Sequence, residues 1–405
     1  SGVAGGVARW LLGGEAVPPM GWAMTTPSWD RYDAYSSTGV HVYHAKSLPL
    51  NYDDAPGHFE RVCSQLDERM GDALRVDSDA LFIVNPDLRP EQEWLARNPD
   101  ERLLTAQGNR GPVSFASAKY TEGVHDFLRR LIRYVNAQDY ADHVIGWLPY
   151  VCGAPDSAMG GIEDNLFQED RSLLTFGDHN PQAITDFQGW LGDKYEGAVE
   201  DLRTAWQDLG LTFDTARPVM AEITAEGVDG GVFRDPAGNQ MTFDYAEWMS
   251  GVVGRFNSEL MRIVKEEAGR DVLAGTYYGY NVAHLRGYNT PGAWLQNNNF
   301  DFHERLQDPD WDFFAEPTPY SSRRPGTSHY TSHTADSVRL HGKLHVAEID
   351  HRTFIAGQKR YGRMRSERET QAVMRRDMAG EMIDGQGYWF SDWSRDQRRE
   401  AVPWF

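Results

Sequence analysis

Cysteine is nearly absent from this chain: 405 residues include two, Cys63 and Cys152. Two cysteines exclude a disulfide framework. They leave one bridge or two free thiols, the latter being the ordinary state in a reducing compartment. Lysine is also scarce, supplying 6 of the 40 basic residues. Acidic residues number 60, so the formal charge is −20. That balance argues against nucleic acid as the main partner, because phosphate recognition calls for a basic stripe. It argues against anionic membrane surfaces for the same reason. Few Lys, many Arg and an acid excess fit a high-salt source, a GC-rich genome or a merely soluble surface alike.

Long apolar runs are missing too, and none approaches the roughly 18 residues that span a bilayer. The opening stretch SGVAGGVARWLLGG is too short in apolar residues for a secretory leader. It lacks an initiator Met, which leaves a processed start open. No N-x-[ST] acceptor occurs. The expectation is a cytoplasmic protein, with secretion and homo-oligomerisation left open.

Cofactor signatures are absent as well: the chain has no P-loop, CxxC pair or HExxH motif, and no Gly-rich phosphate loop after the first strand. His329 and His333 in SHYTSHTAD stand four apart, as metal ligands on a helix would. Gly326, Ser328 and Thr331 favour a loop there, and no acidic residue lies at ligand spacing. Cys152 has no neighbouring His to act as its base. The sequence is therefore read as carrying no cofactor and no metal.

What is present is a rhythm. Short apolar runs occur at Pro19–Thr25, Val40–His44, Ala80–Val84, Val144–Val151, Val272–Gly279, Trp311–Ala315, Leu344–Ile349 and Gly387–Phe390. They are near-continuous rather than alternating, as strands covered on both faces of a parallel sheet should be. Helical stripes fall between them. Phe59, Cys63, Leu66, Met70 and Leu74 share a face, as do Val124, Phe127, Leu128, Leu131 and Val135. Phe187, Leu191, Tyr195 and Val199 form a third stripe, and Trp248, Val252, Phe256, Leu260 and Ile263 a fourth. A last helix is predicted over Thr370 to Ile383, ending near Gly385. This pattern predicts a (β/α)8 TIM barrel with long βα loops, occupying residues 1–405 as one catalytic domain. The long loops fall at 152–182, 207–242, 281–310 and 321–334.

In a barrel the loops after the strands form the catalytic face. Polar residues collect there: Asn85, Asp87 and Arg89 after strand three, and Asp156 after strand four. Tyr277, Tyr278 and Tyr280 follow strand five, with Glu316, Tyr320 and Arg323 after strand six. Asp392 and Trp393 follow strand eight, next to Trp389. Any one of these alone reads as a solvated loop charge or a cap. Carboxylates, Tyr, Arg and Trp converging on one barrel mouth suit a sugar, whose CH faces stack on aromatic rings and whose hydroxyls meet Asp, Asn and Arg.

The sharpest candidate is Glu348 in KLHVAEIDHRTF. It shares strand parity with Leu344 and Val346, which point inward. A charge facing inward at a strand end makes sense opposite a reacting centre. Asp350 and Arg352 continue the parity. Arg352 is positioned to hold Glu348 ionised, as a nucleophile requires, and Asp350 to bind a hydroxyl or orient Arg352. A structural Glu–Arg pair is the alternative.

Five stretches carry a family resemblance. ITDFQGWLGDKYEGAVEDLRTAW, VIGWLPY, WDFFAEPTPY, GKLHVAEIDHRT and GQGYWFSDWS resemble, in order, the helix after strand four and strands four, six, seven and eight of the clan-A glycoside hydrolases. The likeness is greatest to the family 42 beta-galactosidase-like group and covers roughly residues 15–395. It implies hydrolysis of a beta-linked galactoside or related sugar, exo-acting and with retention. It assigns the nucleophile to Glu348 and a hydrogen bond on that carboxylate to Tyr320. Sugar-binding roles fall to Asn85, Asp87, Arg89, Tyr278, Tyr280, Arg323, Asp350, Arg352, Trp389 and Trp393. The group's acid/base is a Glu after strand four. Here the sequence reads CGAPDSAMGGIED, with neither Asn-Glu nor Glu-Trp, so Asp156 is preferred for that role and Glu163 is the alternative.

Overall fold

A computed structural model describes residues 2–4, 7–12, 14–17, 20–23, 29–45, 51–104, 108, 110–150, 178–218, 237–279, 299–356 and 362–391. Its centre is a closed barrel of eight strands. In chain order these are β1 (Met20–Ala23), β2 (Val42–Ala45), β3 (Leu81–Val84), β4 (Val144–Trp147), β5 (Leu273–Tyr277), β6 (Phe313–Pro317), β7 (Leu344–Ile349) and β8 (Gly387–Ser391). Each strand pairs in parallel with its chain neighbours, and β8 closes on β1. Each of the eight predicted runs overlaps one of these strands, with β2, β6 and β8 extending one or two residues past the predicted end. The (β/α)8 architecture is present.

Helices cover the outside. They include α1 (Trp29–Ser36), α2 (His58–Val76), α3 (Ala118–Asn136), α4 (Gln240–Glu267), α5 (Phe302–Gln307), α6 (Ala335–Leu340) and α7 (Glu367–Ile383). The segment between β4 and α4 adds helices at Pro181–Lys194 and Val199–Trp206. The α3 and α4 stripes are buried as predicted, because a 3.6-residue period aligns them against the sheet. Ser117 opens α3, its hydroxyl accepting from the Tyr120 N–H at 3.1 Å. Two small antiparallel sheets lie outside the barrel, one from Gly2–Ala4, Val7–Leu12 and Glu15–Val17, the other from Arg102–Leu104 and Arg110–Val113. No helix among the described residues is long and apolar enough to cross a membrane.

The pleat divides the apolar residues into two layers. Ile83, Leu273, Phe313, Leu344, Val346 and Trp389 fill the barrel. Ala347, Ile349 and Phe314 belong to the layer between sheet and helices. One helix departs from the expected stripe. The buried face of α7 carries Asp377 and Glu381 beside Thr370, Val373 and Met374. Met382 and Ile383 are 65% and 83% exposed at its end. A helix that turns acids inward must meet polar partners on the sheet. It does so at His345 on the outward side of β7, at His351 just beyond that strand and at His329 in the loop before it.

Candidate active site

Every residue of β7 is buried. Alternation sends Leu344 and Val346 into the barrel and leaves Glu348 at the inward position nearest the C-terminal end, 2% exposed. Its backbone is pinned from both sides: the Glu348 carbonyl accepts the Thr318 N–H at 3.0 Å and the Asp350 N–H at 3.1 Å. Its carboxylate accepts a hydrogen bond from the Tyr277 hydroxyl at the end of β5. Burial, and then the negative charge of Glu348, push the Tyr277 hydroxyl well above its ordinary pKa. It therefore remains a donor.

Aromatic rings and one amide complete this inner set. The rings of Trp389 and His44 lie 4.6 Å apart, and Tyr277 meets Trp389 edge-on at 6.2 Å. Asn85 Nδ2 donates to His44 Nε2 at 2.6 Å. Asn85 Oδ1 accepts no hydrogen bond among the described residues. A buried acceptor in that condition is unusual in a folded protein. Residues from β2, β5, β7 and β8, with Asn85 immediately after β3, thus contribute to one polar end of an otherwise apolar barrel.

Arginines hold the surrounding loops. Arg89 Nε donates to both carboxylate oxygens of Asp87 at 2.8 Å, and the Tyr150 hydroxyl adds a third contact at 3.1 Å. Arg323 is fully buried, with Nη1 on Asp350 Oδ2 at 2.9 Å and Nε on the Thr318 carbonyl at 2.9 Å. Arg352 Nη1 also reaches Asp350 Oδ2 at 2.9 Å. Asp350 therefore sits between two guanidinium groups and orients Arg352, one of the two roles open to it from the sequence. Arg323 joins the loop after β6 to the loop after β7. It is committed to the protein and acts through Asp350 and Thr318.

Three expectations need correction. Tyr278, expected to bind substrate, faces the outer layer. Its hydroxyl donates to Asp301 and its ring packs edge-on against Trp311. Strand parity puts Tyr277 inside instead. Tyr320 was expected to donate to Glu348, and Tyr277 supplies that hydrogen bond. Tyr320 is 41% exposed, with the Arg323 guanidinium 3.6 Å above its ring. Glu316, grouped with the mouth residues from its place at a strand end, points away from the barrel toward His333 and His345. Asp156, Glu163, Tyr280 and Trp393 lie outside the described residues.

The sequence placed Tyr277 at the barrel mouth without a role, and His44 was not singled out, although parity with the inward Val42 could have found His44. Each occupies the inward position next above an inward residue of its strand, Val42 and Gly275 respectively. The inner set places a fixed carboxylate beside the aromatic residues Tyr277 and Trp389 at the C-terminal end of the barrel. In that arrangement Glu348 can serve as nucleophile or base. Among the described residues, the group with metal-ligand composition is a different one, Glu316, His333 and His345.

No family model matches the sequence. No curated protein matches it either. Solved structures do match. The beta-galactosidase of the psychrophilic Marinomonas ef1 superposes with a TM-score of 0.57 at 16% identity, over 92% of this chain and 53% of that one. The cold-adapted beta-galactosidase of Rahnella sp. R3 gives 0.54 at 13% identity, over 92% and 48%. The chain has the fold of these beta-galactosidases. It spans about half the length of either, so the likeness concerns the barrel and its immediate surroundings.

Proposed function

We propose that this protein is a retaining glycoside hydrolase with Glu348 as nucleophile, acting from the chain end on a beta-linked galactoside or a related sugar. The observation that carries the reading is the placement of Glu348. It is an inward carboxylate at the C-terminal end of β7, buried, pinned through its backbone and hydrogen-bonded by Tyr277. The beta-galactosidase fold and the aromatic residues Tyr277 and Trp389, gathered beside Glu348, support a sugar as the occupant. The reading treats residues 1–405 as one barrel domain.

In this mechanism a Glu348 oxygen attacks the anomeric carbon as the bond to the leaving oxygen breaks. A second carboxyl group gives its proton to that oxygen. Water then enters, the same group takes its proton, and the ester to Glu348 is cleaved with net retention. Asp156 is our choice for the second group, with Glu163 as the alternative. Retention calls for a separation of about 5–5.5 Å between the two carboxyl groups. Tyr277 holds the attacking carboxylate in place, and Asn85 offers its open acceptor to a hydroxyl.

A panel of activated aryl glycosides, led by the beta-galactoside, tests the reading. Such substrates need little protonation of the leaving group, so they are cleaved even where the acid is weak. Turnover with retained anomeric configuration by NMR, abolished in Glu348→Gln, is the expected result. An inverted product would replace the mechanism with a different carboxylate pair. No turnover across the panel would leave a sugar-binding barrel without catalysis.

A further inference from the structure

We propose that Glu316, His333 and His345 form a binding site for one divalent transition-metal ion, best suited to zinc, in the layer between the barrel and α7. The site is separate from the reaction at Glu348. Glu316 and His345 are outward residues of β6 and β7, and His333 comes from the loop between those strands. All three are buried. One ligand atom from each lies within 4.8 Å of the other two.

The two imidazoles face different oxygens of the Glu316 carboxylate, at separations longer than a charge-assisted hydrogen bond and close to those of ligand atoms around one ion. His333 Nδ1 lies 3.5 Å from Glu316 Oε2, and His345 Nε2 lies 3.3 Å from Glu316 Oε1. A charge-assisted N–H···O contact closes to about 2.7–2.9 Å. Tetrahedral zinc with bonds of about 2.0–2.1 Å sets its ligand atoms about 3.3–3.4 Å apart. Imidazole nitrogen with carboxylate oxygen is a zinc donor set.

Unsatisfied atoms point the same way. Glu316 Oε1 accepts the Ser332 N–H at 2.8 Å, but Oε2 has no hydrogen-bond partner among the described residues. Neither ring nitrogen of His345 has one, nor does either oxygen of Glu381. Buried polar groups left in that state are costly, and a bound cation answers several at once. Glu381 Oε2 lies 3.9 Å from His345 Nδ1, the face of the ring turned from Glu316. Metal-bound histidines are commonly oriented by a carboxylate on their other nitrogen, and Glu381 stands on that side of His345.

The covering helix is shaped to this cluster. Its inward acids replace an apolar stripe. Gly380 packs so tightly on the His329 ring that a Cβ there would overlap it.

The full chain, stripped with a chelator and titrated with Zn²⁺ and with Co²⁺, tests the proposal. The expected result is one bound equivalent after gel filtration, a higher Tm, and the visible absorption of four-coordinate Co²⁺. His345→Gln and Glu316→Gln should lose the equivalent. Glu381→Gln should keep it with affinity lowered about 10–100-fold. His303→Ala should keep it unchanged, because the exposed His303 and His341 rings, 5.9 Å apart, are the obvious place for adventitious zinc. The proposal is overturned if the parent chain retains no ion and shows no Tm shift, an outcome independent of whether any variant folds. It is overturned equally if the equivalent survives in His345→Gln and Glu316→Gln but disappears in His303→Ala.

Discussion

Glu316 and Glu348 stand on neighbouring strands, one residue out of register: Glu316 is paired with Ala347, and Pro317 with Glu348. Both carboxylates are buried near the C-terminal ends of their strands. The pleat sends them to opposite sides of the same sheet. Inside, Glu348 finds Tyr277 and the aromatic end of the barrel. Outside, Glu316 finds two histidines and an acid-bearing helix. Position along the barrel axis is therefore a poor guide to function by itself. Parity across the strand decides whether a carboxylate can meet a substrate or only the protein.

The largest effect expected from this contrast comes from replacing each glutamate in turn by glutamine. Under the proposed mechanism Glu348→Gln removes the attacking group and should lower kcat on the order of 10⁴-fold or more. The fold should survive, because the amide can still accept from Tyr277. Glu316→Gln should do the reverse, leaving kcat near the parent value while altering thermal stability and its response to zinc. Kinetics on an aryl glycoside and melting curves for both variants decide the matter. Equal losses of kcat would show that the two faces are not separate.

A second contrast concerns how each face secures its buried charge. Asp350 lies between Arg323 and Arg352. Asp377, on α7, is held by Arg376 and His351. Against its burial, His329 together with these two partners holds the Asp377 carboxyl below the usual carboxylate range. Removing one partner of a buried ion pair leaves the other charge stranded, at about 3–5 kcal/mol. Asp350→Ala should therefore destabilise the chain by about that amount in urea unfolding. Activity should fall as well, since Arg323 also grips the Thr318 carbonyl, and the Thr318 N–H holds the Glu348 backbone. A stability loss with unchanged kcat would remove this Arg323–Thr318 link from the account of the site.

The sequence made the barrel legible because strands covered on both faces leave short, nearly unbroken apolar runs, and FFAEP and LHVAEI are two of them. The same property hid the parity. In LAGTYY nothing distinguishes the faces, so the choice between Tyr277 and Tyr278 could not be made without the strand's end. Glu348 was readable because Leu344 and Val346 set its phase. Glu316 was not, since Phe313 and Phe314 are apolar on both sides. The outer cluster was hidden for a different reason: its members come from positions 316, 333 and 345, which share no ligand spacing. His329 and His333, which do stand four apart, lie in a loop and face different carboxylates. The α7 stripe misled through its ending, where Met382 and Ile383 complete an apolar period but face outward.

The smallest and most discriminating contrast lies within one dipeptide. Tyr277 and Tyr278 each donate a hydroxyl to a buried carboxylate, Glu348 inside and Asp301 outside. Removing either donor by Tyr→Phe leaves an acceptor short of one hydrogen bond, at about 1–3 kcal/mol. For Tyr277→Phe that loss falls on the proposed attacking group and should appear as a kcat decrease of about 10–100-fold, since each 1.36 kcal/mol is tenfold. For Tyr278→Phe, Asp301 keeps the Ser250 hydroxyl at 3.0 Å and Arg305 Nε at 3.2 Å. The loss there should appear in the unfolding free energy, with kcat near the parent value. The two substitutions are chemically identical and adjacent in sequence, so any difference between them measures the face of the strand. If both lowered kcat alike, the hydroxyl of Tyr277 would have no special relation to Glu348. The hydrogen bond between them would then be structural only.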